Sequence, residues 1–256
     1  MIDPRAVIHP SAKLGGNVSV GAYSLIGADV EIGDNTWIGP HVVINGPTRI
    51  GQDNRIYQFC SVGEAPQHRK YAGEPTRLEV GDRNVIREYC SFHRGTTVDQ
   101  GVTRVGNDNF LMAHVHVAHD CVVGSQITMA NNATLAGHVH VGDHCILGGY
   151  ALVHQFCRIG TQAFLGFACA VAQDVPPFVM ANGNPAVPHG INAKGLRARG
   201  FSTGEVTALR QAYKVLYRSN LLFADAKNQL ARMGETEMVV KMLADFLQDS
   251  KRSIIR

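Results

Sequence analysis

Val18-Ser19-Val20-Gly21-Ala22-Tyr23-Ser24-Leu25-Ile26-Gly27-Ala28-Asp29-Val30-Glu31-Ile32-Gly33-Asp34-Asn35-Thr36-Trp37-Ile38-Gly39 repeats one arrangement, an aliphatic residue followed by glycine, at every sixth position. The same phase runs back to Ile8 and Leu14 and forward through Ile44, Ile50, Ile56 and Val62. It resumes at Val80, Ile86 and Phe92, slips by one residue, and continues every six residues from Val105 through Leu111, Val117, Val123, Met129, Leu135, Val141, Leu147, Val153, Ile159 and Leu165 to Val171. Six matches neither the 3.6-residue period of a helix nor the simple alternation of a lone strand. It fits a short strand, a turn and another short strand, with each aliphatic side chain entering a shared core. Three such units close a triangular coil of 18 residues, and glycine relieves crowding at its corners.

The rest of the composition agrees. The chain has 256 residues, 45% of them hydrophobic and 18% charged, with no apolar run long enough to span a bilayer, which excludes a membrane-spanning protein. Its N-terminus, Met1-Ile2-Asp3-Pro4-Arg5, has an acid and a proline where a secretory signal needs a basic patch and an apolar stretch, so a cytoplasmic protein is expected. Cys60, Cys90, Cys121, Cys145, Cys157 and Cys169 all stand four residues after a periodic aliphatic position, a slot for a small inward side chain. They are expected to be free core cysteines, not disulfides or metal ligands.

The β-helix is expected over 1–187, with external loops near 63–79 and 93–104, where His68 and Glu74 occupy expected aliphatic positions and the phase slips. Binding residues concentrate on such loops. A small helical domain is expected over 188–256. Ser202-Thr203-Gly204-Glu205 reads as a capping box, Val206, Leu209, Tyr213 and Leu216 share one helical face, and helical patterns recur near 223–233 and 236–249. Charge divides at the same boundary: twelve Lys/Arg against fifteen Asp/Glu through residue 187 (−3), and twelve against six beyond it (+6). The basic tail suits an acidic partner, and without aromatic-basic interleaving nucleic acid is not expected.

Twelve histidines are the other compositional excess. His116, His119, His138, His140, His144 and His154 all fall on outward or corner slots. Steps of 18 from residue 119 reach 137 and 155, so His119, His138 and His154 lie within one residue of the same edge on successive coils. They are expected to form a column lining a groove, with Asp120 fixing the tautomer of His119. Such a column suits either zinc ligation, as in carbonic anhydrases of this fold, or general-base catalysis of acyl transfer to a hydroxyl.

Longer motifs carry a resemblance. Lys70-Tyr71-Ala72-Gly73-Glu74-Pro75-Thr76-Arg77, His93-Arg94-Gly95-Thr96, Ala118-His119-Asp120-Cys121, Ala130-Asn131-Asn132-Ala133-Thr134-Leu135-Ala136-Gly137-His138-Val139 and Val153-His154-Gln155-Phe156-Cys157 resemble bacterial UDP-N-acetylglucosamine O-acyltransferase, the first enzyme of lipid A synthesis. The resemblance implies a mainly β protein, a left-handed parallel β-helix of hexapeptide repeats with a small C-terminal α-helical domain, assembled as a homotrimer with active sites in clefts between neighbouring coils. It implies a metal-free, cofactor-free transfer of an (R)-3-hydroxyacyl group from acyl carrier protein to the 3-hydroxyl of the sugar. His119 is then the base, Asp120 its orienting partner and the Gly137 N–H an oxyanion donor. Lys70, His68, Gln67, His116, His138, His154, Gln155, Asn192 and Arg199 become substrate contacts. Arg197, Arg199, Arg210, Lys214 and Arg218 become the surface that steers acyl carrier protein. His68, Lys194 and Ala198 depart from the family pattern, which leaves room for a 3-amino sugar nucleotide as acceptor and an amide product. Phe167 stands where a glycine would admit a long acyl chain, and a bulky residue there implies a shorter one.

Overall fold

The computed structural model describes residues 1–250 and 252–256. The periodic aliphatic residues all face one interior: Ile26, Ile38, Ile44, Ile50, Ile56, Ile86, Leu111, Met129, Leu135 and Leu147 are each at most 1% exposed. Strands of two to five residues carry them inward. These strands stack into three sheets of nine, eight and ten strands, beginning at Val7–Ile8, Lys13–Leu14 and Ser19–Val20. The sheets are faces one, two and three of a triangular prism. Pairing is parallel with an 18-residue step where no loop intervenes, as in His116↔Thr134↔Leu152 and Val117↔Leu135↔Val153 on face one. All six cysteines are free and buried in this interior, as their slot requires.

The glycine after each aliphatic residue has a specific cause. A Cβ on Gly21 would lie 2.5 Å from the Pro40 nitrogen, and one on Gly33 would lie 2.6 Å from the carbonyl carbon of Gly51. Glycine is needed because the next coil passes too close, and apart from Gly63 at φ 78° not for left-handed backbone. Left-handed φ falls on other residues, such as Asp120, His138 and Phe156 at φ 60°, 61° and 64°. Asp and His are among the types that accept this region most readily.

Both external loops leave the prism at the edge between faces one and two. One joins strands Ser61–Glu64 and Arg77–Val80, the other joins Ser91–His93 and Val102–Val105. Arg94 fastens them, its guanidinium donating to the carbonyl oxygens of Gly46 and Gly63 at 3.0 and 2.6 Å and to the Tyr71 hydroxyl at 3.3 Å.

The strand Val187–Ile191 straddles the boundary expected after residue 187. It pairs antiparallel with Val179–Asn182 and closes face three. Helices α1 (Ala193–Ala198), α2 (Thr203–Arg218), α3 (Phe223–Gly234) and α4 (Met238–Asp249) follow and bury a second apolar cluster around Phe178, Leu209, Leu230 and Leu243. The capping box at the start of α2 is formed, with Ser202 and Glu205 satisfying each other's backbone N–H. Among the described residues no helix is long and apolar enough to cross a membrane.

Candidate active site

The turn from face one to face two places four residues between strands, and in successive coils the first three of those slots hold Ala118-His119-Asp120, Ala136-Gly137-His138 and His154-Gln155-Phe156. His119 is therefore stacked over Gly137, and a Cβ at residue 137 would come within 2.6 Å of the imidazole Cε1. His138 sits over Phe156, with rings parallel to within 14° and centroids 4.4 Å apart. The expected single column is thus resolved into adjacent slots. His119 and His138 meet edge to face at 5.1 Å, whereas His154 is exposed and its Nδ1–H donates to the Gln155 carbonyl oxygen at 3.2 Å.

Asp120 Oδ2 lies 2.9 Å from His119 Nδ1, and their side chains are 1% and 12% exposed. A carboxylate only accepts, so the ring proton is on Nδ1 and Nε2 is left with its lone pair. The second loop holds the carboxylate of Asp120, and the strand after it holds the Asp120 backbone. The Thr96 N–H donates to Oδ1 at 2.8 Å, the Thr96 hydroxyl donates to Oδ2 at 2.6 Å, and the Asp120 N–H donates to the Thr103 hydroxyl at 2.8 Å. Burial pushes the Asp120 carboxyl up. The hydrogen bonds from His119 and Thr96 and the proximity of His138 outweigh it, holding the group below the usual carboxylate range.

Around this pair, His68 of the first loop meets the His119 ring at 5.3 Å. Lys70 and Gln67 are exposed on the same loop. On face one, His116 Nδ1 lies 2.7 Å from the Ser91 hydroxyl. Burial, with the neighbouring His93 and His119, pushes its pKa down to about 4, so the ring is neutral at physiological pH. Among the described residues the Gly137 N–H has no acceptor, and it lies on the coil directly next to His119.

The remaining expected residues lie at other edges of the same chain. Asn192 is buried, caps α1 by accepting the Gly195 N–H at 3.2 Å, and donates to the Gln162 carbonyl oxygen at 3.2 Å. Arg199 donates to the His144 carbonyl oxygen at 3.2 Å, also at the edge between faces two and three. Phe167 is 74% exposed at the edge between faces three and one, against Tyr150. Thr96 and Thr103 hold Asp120 and Asp99 faces His138, and of the three only Thr96 falls within a motif that carries the resemblance. The usable signal was the phase: both insertions begin just after Val62 and Phe92, which occupy the same slot of the coil as Val117.

A carboxylate-oriented histidine with an unpaired Nε2, over a close-packed glycine on a hexapeptide β-helix, has the chemistry of a general base. Family models match as Bacterial transferase hexapeptide (six repeats) over residues 29–64 and as Udp N-acetylglucosamine O-acyltransferase, Domain 2, over 174–255. Relatives from Herminiimonas arsenicoxydans and Halorhodospira halophila, each an acyl-(acyl-carrier-protein)–UDP-N-acetylglucosamine O-acyltransferase, are 52% and 54% identical across 100% of this chain and 99% of their own length. Solved UDP-N-acetylglucosamine acyltransferases from Moraxella catarrhalis and Francisella novicida superpose with TM-scores of 0.97 and 0.98 at 46% and 40% identity, covering 100% of this chain and 99% and 94% of theirs. The chain belongs to the UDP-N-acetylglucosamine O-acyltransferase family, and its prism is the left-handed parallel β-helix of that family. His119, Asp120 and His138 have potential ligand atoms within 4.8 Å of one another, close enough to suit a metal ion, but membership in an acyltransferase family removes the basis for the carbonic anhydrase alternative.

Proposed function

We propose that this enzyme moves an (R)-3-hydroxyacyl group from acyl carrier protein to the 3-hydroxyl of UDP-N-acetylglucosamine. The observation that carries the chemistry is the 2.9 Å His119 Nδ1–Asp120 Oδ2 contact, which leaves Nε2 as the base. Nε2 takes the proton of the 3-hydroxyl as its oxygen attacks the thioester carbonyl carbon. The Gly137 N–H donates to the resulting oxyanion, a contribution of roughly 3 kcal/mol where such donors have been removed. The tetrahedral intermediate collapses by breaking the carbon–sulfur bond, and the departing thiolate takes the proton back from His119. Asp120 stabilises the imidazolium in between. Lys70, Gln67, His68, His116, His138, His154 and Gln155 contact the sugar nucleotide and acyl group, and Asn192 and Arg199 contact the nucleotide end.

A homotrimer is part of this reading, because Phe167, Asn192 and Arg199 lie at edges of the prism remote from His119, so sharing one cleft requires neighbouring copies. The surfaces support it. Face two alternates Lys13, Glu31, Arg49, Glu79 and Arg104 across its strands and suits water. The edge between faces three and one instead exposes the stacked rings of Tyr23, His41, Phe59, Tyr89 and His114, with Tyr150 and Phe167 farther along. Such a run of exposed apolar surface marks an interface. Arg210, Lys214 and Arg218 line one side of a cleft beside α2, a basic surface for an acidic carrier protein.

The amide-forming alternative rests on His68, Lys194 and Ala198 alone, and no contact in the site favours it. Mass spectrometry of the product from UDP-N-acetylglucosamine and a mixed pool of acyl carriers tests the proposal. An O-acylated sugar nucleotide, made by the native enzyme and at a rate lower by ~10²- to 10⁴-fold with His119→Ala, is expected. Full activity in His119→Ala would remove the base.

A further inference from the structure

The second external loop delivers a carboxylate that the acyl-transfer scheme does not use. Asp99 Oδ2 lies 3.1 Å from His138 Nδ1, while His138 Nε2 lies 3.7 Å from Asp120 Oδ2, beyond hydrogen-bond reach. The His138 ring is pinned on both sides, stacked on Phe156 and edge to face with His119. It is also the more buried partner, 8% exposed against 39% for the Asp99 side chain.

A neutral imidazole has one ring proton, and a carboxylate takes that proton only from the nitrogen facing it. With Asp99 in place the proton is on Nδ1, and Nε2 offers a lone pair beside the His119–Asp120 pair. Without Asp99 the opposite tautomer would aim an N–H at Asp120 Oδ2, the oxygen that already accepts from His119 and Thr96. We propose that Asp99 is a positioning residue: it holds the His138 proton on Nδ1, reserves Asp120 Oδ2 for His119, and leaves His138 Nε2 as an acceptor toward the sugar nucleotide. This role rests on the reading of His119 and Asp120 as the base and its partner.

The test uses the full-length enzyme with ¹⁵N-labelled histidine and three variants, Asp99→Ala, Asp99→Asn and His138→Gln. Native protein is expected to show the Nδ1–H tautomer at His138, and Asp99→Ala to shift it to Nε2–H. Asp99→Ala should lower kcat/KM about 10- to 100-fold, the effect of one charge-assisted hydrogen bond, with part of the loss in KM because His138 also faces the sugar nucleotide. Asp99→Asn, whose amide oxygen still accepts the proton, should keep the Nδ1–H form and most of the rate. In the His138→Gln background, adding Asp99→Ala should cost nothing further. An unmoved tautomer, or losses that simply add in the double variant, would overturn the proposal and leave Asp99 a loop-packing residue. A fully active His119→Ala would instead overturn the base assignment beneath it.

Discussion

Replacing Gly137 by alanine isolates one contact at the centre of the mechanism. The new Cβ would lie 2.6 Å from His119 Cε1 and 2.9 Å from Nε2. Ordinary carbon contacts are about 3.5–4.0 Å, so the imidazole must retreat by about 1 Å. It has little room, being tied to Asp120 at 2.9 Å and flanked by the rings of His68 and His138. A displacement of ~1 Å from productive geometry costs on the order of 10²-fold in rate. The variant keeps the N–H of residue 137, so the donor proposed for the oxyanion survives and the loss reports ring position. Gly137 does not have left-handed backbone, and no backbone strain accompanies the change. Steady-state kinetics with carrier-linked substrate should show kcat down about 100-fold, with a loss of thermal stability of no more than ~1–3 kcal/mol from the crowded ring. Gly16→Ala, where a Cβ meets nothing nearer than 3.7 Å, is the control and should behave as native. A Gly137→Ala enzyme with native kcat would refute both the stacking of His119 on this glycine and the role given to the ring.

Asp120→Asn presents an amide to His119 and favours the wrong tautomer, and kcat should fall by ~10²- to 10⁴-fold at similar KM; a variant retaining more than a tenth of native kcat would remove Asp120 from the pair. The pKa of His116 is lowered from 6.5 to about 4, so the unfolded chain takes up this proton first as pH falls. Stability should decline across that window by up to about 3 kcal/mol. His116→Gln should flatten the decline in urea titrations at pH 6.8 and 4.5, and equal acid sensitivity in both proteins would count against the buried neutral ring. Phe167→Gly should extend the preferred acyl chain beyond about ten to twelve carbons, each added methylene being worth ~0.8 kcal/mol. An unchanged profile over chains of graded length would mean that the exposed Phe167 ring does not close the groove.

The prism was legible because an aliphatic side chain recurs at every sixth position with no alternative to the interior, and a glycine follows it at many of the corners where the next coil passes closest. The same ruler located the histidines outside the core. It did not resolve slots within a corner, where His154 shares a column with Ala118 and Ala136, and so His154 fell outside the contact between His119 and His138. The loops were visible as breaks in phase, but what Thr96 and Asp99 touch depends on a chain path that has no period. Asn192 shows a different limit: a sequence match marks it for the nucleotide, while its side chain also caps α1 and bonds to Gln162.

The strand ladder also restricts how such a chain can change length. Thr96 belongs to the loop of one coil and Asp120 to the turn of the next, so their bond spans a single step of the stack, about 4.8 Å. A coil of 18 residues inserted before Ile44 would lengthen the prism and carry loops and histidines along as one block. The same insertion between Val105 and Val117 would slide Thr96, Asp99 and the first loop one full step away from Asp120 and His138. Growth at the N-terminal end is neutral for the chemistry, whereas growth between the second loop and His119 dismantles it, and functional length variants of this enzyme should differ only on the permitted side.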